Sequence, residues 1–533
     1  MVPSHLAVLE ASSSRYSQLP VFRTPIVNEK TGKLDSWRSI SYSQFQRDVE
    51  RFSKFWWSKL SGDGVPPQSV VGVWIGGFTY TDVLHIYGLS RAGYIPQLFS
   101  LRLPNPMVVY ELLARANAKA LVYEATFAAI CTDCPVPAHL AVGLDLVPES
   151  SSPLPPRYPI TEQDVAFIFH TSGSTSGSPK LVPCDYRWIA AALTKSRQVS
   201  KPWNEHRQDV TVWMGSMCHI GQSFMLLGSL QHGTCTIQPT VISFSSEELM
   251  DMIHHCGLNR LNQFAAFLAS HLRKSRTDKD LLSELAGLDE VLYSGLPLPR
   301  DEEEWAYKNG IKLRNTFGST ECGAMLLSVG GEGRDAPFLR PLAGTVYEFR
   351  PIAQPTGDAN HQSSMRLLEL VILRSSGDCP DVSLRHADGD FHTGDLFQEV
   401  APGSYVFRGR DDDWIKSENS LRCDTKAIED NARATCSAFI KECIVVGSGR
   451  PSPVMFIEPA VEMGHDKLKK EIIRKTRQFH SRRYLHERIT SPNMIVVVPP
   501  ETLPRTATKG NIRRKAVEEA FKTEIDQIFG ITA

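Results

Sequence analysis

Apolar and polar residues alternate along the chain in two rhythms. Between Ser41 and Leu60 the apolar residues recur at the spacing of one helical face, and the apolar run that begins at Val70 is short enough for a buried strand. A second amphipathic stretch, a break at Gly93 and another apolar run follow. This alternation predicts parallel β-sheets covered by helices, because parallel neighbours need a crossover connection between them.

Two changes in this pattern mark candidate boundaries. Residues 148–159 are rich in Pro and Ser, which predicts a linker, since this composition sustains neither a helix nor a central strand. Three acidic residues follow Arg410 at the end of a strand-rich region, and we place a hinge there. The chain is therefore expected to divide into a domain of residues 1–410 and a smaller domain of residues 411–533.

Composition excludes several classes of protein. With 42% hydrophobic and 22% charged residues among 533, the chain has the make-up of a folded globular protein. Its 58 basic and 59 acidic residues leave a net charge of -1, so no overall field attracts nucleic acid or an anionic membrane. Eleven cysteines are too few for a disulfide scaffold, and the sequence has neither a leader pattern nor an apolar run of about 18 residues. We expect a cytoplasmic protein with no membrane span and no nucleic-acid partner.

A segment of ten mostly small or hydroxylic residues follows directly after an apolar strand that begins at Val165. Gly173 and Gly177 allow positive φ, so successive amides can point at one anion, while hydroxyl groups and Lys180 add donors and charge. This predicts a cradle for a triphosphate; a flexible Ser/Gly loop has the same composition, but the preceding strand favours the cradle. It is not a Walker loop, because no Gly-Lys-Ser/Thr opens a helix. The residues assigned to the cradle are Thr171, Ser172, Gly173, Ser174, Thr175, Ser176, Gly177 and Lys180.

Five motifs stand in the order found in the adenylate-forming (AMP-binding) superfamily, which the chain resembles. After the cradle come NTFGSTECG from Asn315, HTGDLF from His392, FRGRDDDWIK, which contains Arg410, and PRTATKGNIRR from Pro504. Acyl-CoA synthetases and the adenylation enzymes of nonribosomal peptide synthesis belong to this superfamily. The resemblance implies an α/β fold with a large N-terminal domain of parallel β-sheets, covered by helices and joined to a β-barrel-like part. A small mobile α+β C-terminal domain is expected to carry the lysine loop.

The resemblance assigns five residues to direct contacts with the nucleotide. Thr320 is expected to hydrogen-bond phosphate, and Glu321 to bind Mg²⁺ as a hard carboxylate ligand. Phe317 would lie against adenine, Asp395 would accept hydrogen bonds from the ribose hydroxyls, and Arg410 would bind ribose or phosphate. The alternatives are structural: turn acids, core packing for the ring and a surface salt bridge for the arginine. The other residues assigned to the nucleotide are Ser294, Gly295, Asn315, Thr316, Gly318 and Lys416.

Lys509 is assigned the adenylation step by the same resemblance. A mobile ammonium can bridge carboxylate and α-phosphate oxygens and stabilise charge that develops in the transition state; the alternative is one more cation in a basic stretch. Lys509-Gly510 reverses the Gly-Lys order of most relatives, and the phosphate loop is one residue longer than the common form. Asn419 replaces a glycine after the hinge, where relatives line the tunnel for the thiol acceptor.

His219 is assigned to the acid pocket. Relatives that activate α-amino acids hold the ammonium group of the substrate with an Asp in this stretch. Here the stretch contains His219 and resembles the corresponding segment of acyl and aryl acid ligases. We give His219 a pocket-gating role, the alternative being a histidine of the core. The neighbouring Met214, Met217, Phe224 and Met225 favour an apolar acyl or aryl substrate, although such residues also form cores.

The resemblance thus implies a ligase that uses ATP and Mg²⁺ to convert a small carboxylic acid to acyl-AMP, followed by thioester formation with CoA. One alternative is a freestanding adenylation enzyme that loads a separate acyl carrier protein. Another is a nucleotide-binding protein whose inverted lysine loop no longer supports catalysis. The two enzymes share the first half-reaction and differ in the acceptor.

Overall fold

The computed structural model describes residues 2–530 apart from residues 29, 102, 172–178, 332, 353–366, 412–413, 417–421, 482, 484 and 506–511. It confirms the predicted α/β fold, with a large N-terminal part built on two sheets and a smaller C-terminal part. The strands are β1 (Pro20–Val27), β2 (Leu34–Ser41), β3 (Val70–Trp74), β4 (Ile95–Phe99), β5 (Ala120–Tyr123), β6 (Ala138–Leu140), β7 (Val165–His170), β8 (Leu181–Asp185), β9 (Val210–Val212), β10 (Cys235–Ile237), β11 (Arg260–Phe264), β12 (Glu290–Ser294), β13 (Leu313–Ser319), β14 (Gly323–Ser328), β15 (Leu339–Pro341), β16 (Tyr347–Pro351), β17 (Leu368–Ile372), β18 (Phe391–Ala401), β19 (Ser404–Arg410), β20 (Trp414–Lys416), β21 (Arg422–Asp424), β22 (Ile440–Val446), β23 (Val454–Pro459) and β24 (Ile495–Val497). The helices are α1 (His5–Arg15), α2 (Tyr42–Gly62), α3 (Tyr80–Arg91), α4 (Pro106–Arg115), α5 (Tyr186–Val199), α6 (Ile220–His232), α7 (Ser246–Cys256), α8 (Ala265–Ser275), α9 (Lys279–Gly287), α10 (Arg300–Lys308), α11 (Thr425–Cys436), α12 (His465–Ser481), α13 (Arg514–Ala520) and α14 (Lys522–Ile528).

Helix α2 begins where the sequence pattern predicts it. The Ser41 hydroxyl accepts a hydrogen bond from the Gln44 amide at 3.2 Å and caps the helix. The buried stripe of α2, which includes Phe52, packs against α3. Gly88 of α3 makes this packing close, because a Cβ at that position would lie 2.6 Å from the Cβ of Phe52.

The first sheet has six strands in the order β6-β5-β3-β4-β7-β8, all parallel except for the hairpin of β7 and β8. Residues 148–159 contain no helix or strand, as expected, but they join β6 to β7 of this same sheet. Arg91 of α3 also donates a hydrogen bond to the carbonyl of Pro155 at 3.0 Å. The predicted linker is therefore a connection within the first sheet, held against helix α3, and both of its ends belong to the same domain.

The second sheet has 13 strands and changes direction part of the way across. Strands β1, β10, β9, β11, β12 and β13 run parallel, so their carboxyl ends share one edge. Strand β14 pairs antiparallel with β13, and the antiparallel strands continue through β15, β19, β18, β17 and β16. The part predicted to be barrel-like is thus a continuation of the large sheet.

The C-terminal part has sheets and cores of its own. Strands β20 and β21 form one sheet, and β22, β23 and β24 form another, which α11 and α13 contact. Its apolar clusters draw on residues from Ile415 onward, whereas the other clusters of the described chain end at Phe407. We therefore propose the domain boundary between residues 410 and 411. No helix among the described residues combines the length and apolar character needed to cross a bilayer.

Candidate active site

The predicted cradle lies at the tip of the β7–β8 hairpin. The amide of Thr171 donates to the carbonyl of Lys180 at 3.1 Å, and the amide of Lys180 donates to the Thr171 hydroxyl at 3.4 Å, so the two ends of the loop are held together. A strand, β8, follows the loop directly, whereas a helix would follow a Walker loop. This agrees with the prediction that the segment is not a Walker loop. The assigned residues Ser172, Gly173, Ser174, Thr175, Ser176 and Gly177 lie outside the described part of the chain.

His170 is the last residue of β7, directly before this loop, and its ring adds no positive charge there. Its ring stacks on Phe99 with centroids 4.5 Å apart, and Nδ1 lies 2.9 Å from the carbonyl oxygen of Leu98. Burial lowers the pKa of His170 to about 4, so the ring is neutral near pH 7. The exposed Lys180 at the other end of the loop carries a positive charge.

Thr320 and Glu321 lie in the turn between β13 and β14. This turn requires glycine at Gly318, since a Cβ there would lie 2.4 Å from the carbonyl oxygen of Gly323 in the facing strand. Across the turn, the Cys322 amide donates to the Ser319 hydroxyl at 3.3 Å. This close approach of β13 and β14, which we call the close crossing, therefore fixes the backbone from which the side chains of Thr320 and Glu321 project.

Helix α5, which follows β8, holds this turn by two hydrogen bonds. The indole of Trp188 donates to the carbonyl of Glu321 at 3.0 Å, and the Lys195 ammonium donates to the carbonyl of Cys322 at 2.6 Å. Burial, and after it the charges of Asp185 and Glu321, raises the pKa of Cys184 well above its usual range. The Glu321 carboxylate thus lies near β8, the strand that leaves the loop.

Asp395 and Arg410 face each other across the β18–β19 pair. Arg410 Nη1 lies 3.2 Å from Asp395 Oδ1, and the carboxylate is buried while the guanidinium is partly exposed. The Asp395 amide donates to the hydroxyl of Thr393, which in turn donates to the carbonyl of Leu370 at 2.7 Å. The two residues that the resemblance assigns to ribose and phosphate are therefore adjacent.

A second carboxylate braces the part of strand β18 that carries Asp395. Glu369 Oε1 accepts a hydrogen bond from the Gly394 amide at 3.1 Å, and Glu369 Oε2 lies 3.1 Å from His392 Nδ1. His392 Nε2 lies 3.0 Å from Asp388 Oδ2. Burial lowers the pKa of His392, but the hydrogen bonds and charges of Asp388 and Glu369 outweigh it and raise the pKa above the usual 6.5.

Phe317 links the β13–β14 turn to the strands of Asp395 and Arg410. Its half-buried ring has an edge-to-face contact with Phe397, with centroids 5.1 Å apart, and lies 5.0 Å from the centroid of Phe407. These contacts are those of core packing, one of the two interpretations of this residue. Stacking of Phe317 on adenine stays a prediction.

His219 and Gly295 meet at the ring of Phe264, beside the carboxyl ends of β11 and β12. The His219 ring caps α6 by accepting a hydrogen bond from the Gly221 amide at 3.2 Å, and it contacts Phe264 edge-on with centroids 6.2 Å apart. Gly295 has φ +89°, and a Cβ there would lie 3.1 Å from the Phe264 ring. The three residues form one wall beside the candidate nucleotide site, and the gating role of His219 stays a prediction.

The remaining assigned residues differ in what the structure says of them. Ser294 donates its hydroxyl to the carbonyl of Thr316 at 2.7 Å, which ties β12 to β13. The buried Thr316 hydroxyl has no hydrogen-bond partner among the described residues. Asn315 lies on β13, where its amide donates to the Ser328 hydroxyl at 2.8 Å. Lys416 is the last residue of β20, and the assigned Lys509 lies outside the described part of the chain.

The donor set at the turn fits Mg²⁺ held jointly by protein and nucleotide. Within the described ranges, no group of three or more His, Cys, Asp or Glu side chains could hold a metal by itself. Mg²⁺ commonly takes only one or two carboxylates and completes its shell with water and substrate phosphates. Glu321 near the phosphate loop meets that requirement.

Four residues that support the site belong to none of the five motifs, so the sequence analysis did not predict them: Trp188, Lys195, Glu369 and Asp378. One signal was available for Lys195, because Trp188, Ala192 and Lys195 fall on the buried face of an amphipathic helix. A lysine on such a face needs a buried acid, and the sequence does not indicate which acid supplies it.

Comparisons with known proteins agree with this geometry. A profile of the AMP-binding enzyme family matches residues 11–348, and a profile of the AMP-binding enzyme C-terminal domain matches residues 412–532. The AMP-binding domain-containing enzyme iboA of Amanita muscaria is 36% identical over 518 residues, which cover 94% of this chain and 98% of that protein. The adenylate-forming reductase stbB of Stachybotrys bisbyi is 23% identical over 469 residues, which cover 84% of this chain and 41% of that protein.

The fold also matches solved structures. The O-succinylbenzoate coenzyme A synthetase of Bacillus subtilis in complex with AMP has a TM-score of 0.73 at 14% identity, covering 96% of this chain and 98% of that one. The same synthetase in complex with ATP and a magnesium ion has a TM-score of 0.72 at 15% identity and covers 96% and 99%. At this level of identity the likeness establishes the fold.

Replacing Gly318 with Ala should disrupt the β13–β14 turn. The new Cβ would meet the Gly323 carbonyl, a backbone atom that cannot rotate away, so we expect the free energy of unfolding to fall by about 1–3 kcal/mol. Urea unfolding followed by circular dichroism measures the change. The control is Gly287→Ala, whose Cβ would have no neighbour within 4 Å and should leave stability equal or slightly raised. Equal stability of Gly318→Ala and the parent would contradict the close crossing.

The brace around His392 should make stability depend on pH. Because the folded-state pKa is raised above 6.5, the protonated ring stabilises the folded chain fully below about pH 6.5, and the contribution is lost as pH rises through the raised pKa. The Tm of the parent should therefore exceed that of His392→Gln by more at about pH 6 than at about pH 9. A difference that grows with pH would show that the ring is not held as a cation.

Proposed function

The chain belongs to the AMP-binding enzyme family, and on that premise we propose that it activates a carboxylic acid with ATP and transfers the acyl group to the thiol of CoA. The observation that carries the proposal is the convergence of three motifs on one turn. Helix α5 ties the phosphate-loop hairpin to Glu321, and Phe317 ties the same turn to the strands of Asp395 and Arg410.

The first half-reaction joins two anions. A carboxylate oxygen attacks the α-phosphorus of ATP, the bond from that phosphorus to the β-phosphate oxygen breaks, and acyl-AMP and pyrophosphate result. Because both reactants are negative, the site must offset their repulsion while holding them in line. Positioned donors and cations supply most of such catalysis.

We assign the donors from their positions. Thr171 and Lys180 would hold the phosphates at the ends of the loop, and Thr320 would donate its hydroxyl from the turn. Asp395, buried and paired with Arg410, would accept hydrogen bonds from the ribose hydroxyls, because a carboxylate accepts several hydrogen bonds. Arg410, partly exposed, would contact ribose or phosphate.

Glu321 would hold Mg²⁺ together with the phosphates, and the bound ion would neutralise charge on the pyrophosphate that leaves. The carboxylate is suited to this because its backbone is fixed by the Gly318 crossing. Lys509, on the proposed C-terminal domain, would bridge the carboxylate and α-phosphate oxygens. Lys509-Gly510 reverses the Gly-Lys order of most relatives.

The second half-reaction transfers the acyl group. The thiolate sulfur attacks the acyl carbon, the carbon–oxygen bond to AMP breaks, and a thioester and AMP result. We propose CoA as the thiol, and the synthetase of similar fold, which is named for coenzyme A, supports this choice. The wall of His219, Phe264 and Gly295 supports an apolar acyl or aryl acid as substrate.

The acceptor can be tested by measuring AMP release with a panel of medium-chain and aromatic acids, with and without CoA. We expect at least one acid to support ATP–pyrophosphate exchange, and CoA to stimulate AMP release with that acid. Exchange without stimulation by CoA would favour transfer to a separate carrier protein or another nucleophile. Exchange at background with every acid would favour a nucleotide-binding protein without catalysis.

Changing Asp395 to Asn should mainly weaken ATP binding. The amide removes the charge that accepts the ribose hydroxyls, so the KM for ATP should rise about tenfold to a hundredfold while the KM for the acid changes little. Steady-state kinetics with each substrate varied in turn measure both. Glu399→Gln, on the same strand β18, is the control and should leave both constants near the parent values. A normal KM for ATP in Asp395→Asn would remove the ribose assignment.

A further inference from the structure

The turn that carries Glu321 is held by one face of helix α5. Trp188 and Lys195 are seven residues apart, which is about two helical turns, so both side chains project from the same side. Trp188 donates to the carbonyl of Glu321 and Lys195 to that of Cys322, the next carbonyl along the chain. Two consecutive backbone carbonyls of one turn are therefore fixed by one rigid element.

The lysine in this arrangement is fully buried together with its acid. Lys195 Nζ lies 2.5 Å from Asp378 Oδ2, and both side chains are 1% exposed. The Ser376 hydroxyl donates to Asp378 Oδ1 at 2.5 Å, and the Tyr347 hydroxyl donates to Oδ2. Burial raises the pKa of Asp378, but the charge and hydrogen bond of Lys195 outweigh it and hold the pKa below its usual range.

A buried ion pair of this kind needs a reason other than stability. Desolvation of two charges consumes most of their attraction, and an apolar pair of the same volume is often equally stable. An ion pair does, however, fix the orientation of its donor group. Here the pair with Asp378 keeps the Lys195 ammonium pointed at the carbonyl of Cys322.

Helix α5 is also the element that follows β8, the strand after the phosphate loop. Its first turn is capped by Asp185, which ends β8 and accepts from the Trp188 amide at 2.7 Å. Arg187 of the same helix donates to the carbonyl of Cys379 at 3.1 Å, next to Asp378. The helix therefore joins β8 of the six-stranded sheet to the Glu321 turn on the 13-stranded sheet.

We propose that Lys195 and Trp188 are positioning residues, which hold the Glu321 carboxylate at the place where a divalent cation bound to the phosphates of ATP would meet it. Asp378 pairs with Lys195 and directs its ammonium group at the turn. This inference rests on the proposed function, since it needs a metal–nucleotide complex at the site. Neither side chain is given a contact with the substrates.

The double variant Lys195→Met/Asp378→Asn tests the inference, because it removes both charges together and leaves no buried ion unpaired. The probe is Mn²⁺ with α,β-methylene-ATP, which cannot be cleaved between the α- and β-phosphates, and bound Mn²⁺ is measured by electron paramagnetic resonance. We expect the dissociation constant of Mn²⁺ to rise about tenfold, the order expected from losing one charge-assisted hydrogen bond. Affinity for AMP without metal should stay within about twofold, because Asp395 and Arg410 are untouched.

The Glu321→Gln background separates positioning from a general structural effect. If Lys195 acts through the Glu321 carboxylate, the double variant should weaken Mn²⁺ binding no further once that carboxylate is gone. Gln198→Ala is the matched control on the same helix, since its amide bonds to Ala343 instead of to the turn. It should leave Mn²⁺ affinity unchanged.

Three results would overturn the inference. They are Mn²⁺ affinity within about twofold of the parent in the folded double variant, an equal loss with and without the Glu321 carboxylate, and a parallel loss of AMP affinity. If the double variant does not fold, Trp188→Phe decides: a threefold or greater rise in the Mn²⁺ dissociation constant supports positioning, and a smaller change refutes it. Failure of the parent chain to bind Mn²⁺ with the nucleotide would instead refute the proposed function.

Discussion

The close crossing of β13 and β14 is the constraint on which the rest of the site depends. Gly318 lies against the carbonyl of Gly323, and only a residue without a side chain can occupy that position. At this crossing the large sheet changes from parallel to antiparallel pairing. As a result, the carboxyl edge of the parallel strands lies beside the antiparallel strands that carry Asp395 and Arg410, and residues about 75 to 90 positions apart in sequence become neighbours in one cleft.

Two sheets contribute to that cleft, and side chains of the core join them. The six-stranded sheet contributes the loop between β7 and β8. The 13-stranded sheet contributes the Glu321 turn and the strands β18 and β19, which carry Asp395 and Arg410. Phe317, packed between Phe397 and Phe407, aligns the turn with the antiparallel part. Helix α5 aligns it with the hairpin. The turn is therefore fixed on both sides. Such support is needed wherever a side chain has to be held within a fraction of an ångström of the position that binds a charged ligand.

Periodicity and motif order predicted most of the elements but not the contacts that hold the site. Helix α2 and strands β3, β7 and β13 follow from local patterns of hydrophobicity, since each pattern matches one secondary-structure period. Residues 148–159 lack helix and strand, as their Pro and Ser content predicts, but composition does not tell whether such a segment joins two domains or two strands of one sheet. Lys195 and Asp378 are 183 residues apart, and nothing in either segment selects the other. Partners of that kind depend on the tertiary fold alone.

The charge balance of the α5 contact explains how the buried Lys195 can lie close to Glu321, the proposed metal ligand, without competing for its carboxylate. An unpaired ammonium beside the turn would attract the Glu321 carboxylate and repel a divalent cation. Asp378 removes that net charge, so Lys195 offers its hydrogen bond to Cys322 without adding a positive field at the turn. On the proposed function, the cations that would face the nucleotide are exposed ones such as Lys180, whose side chain can adjust to the phosphates. On the proposed function, the site thus separates the groups that fix geometry, which are buried and neutral in sum, from the groups that carry charge to the substrate.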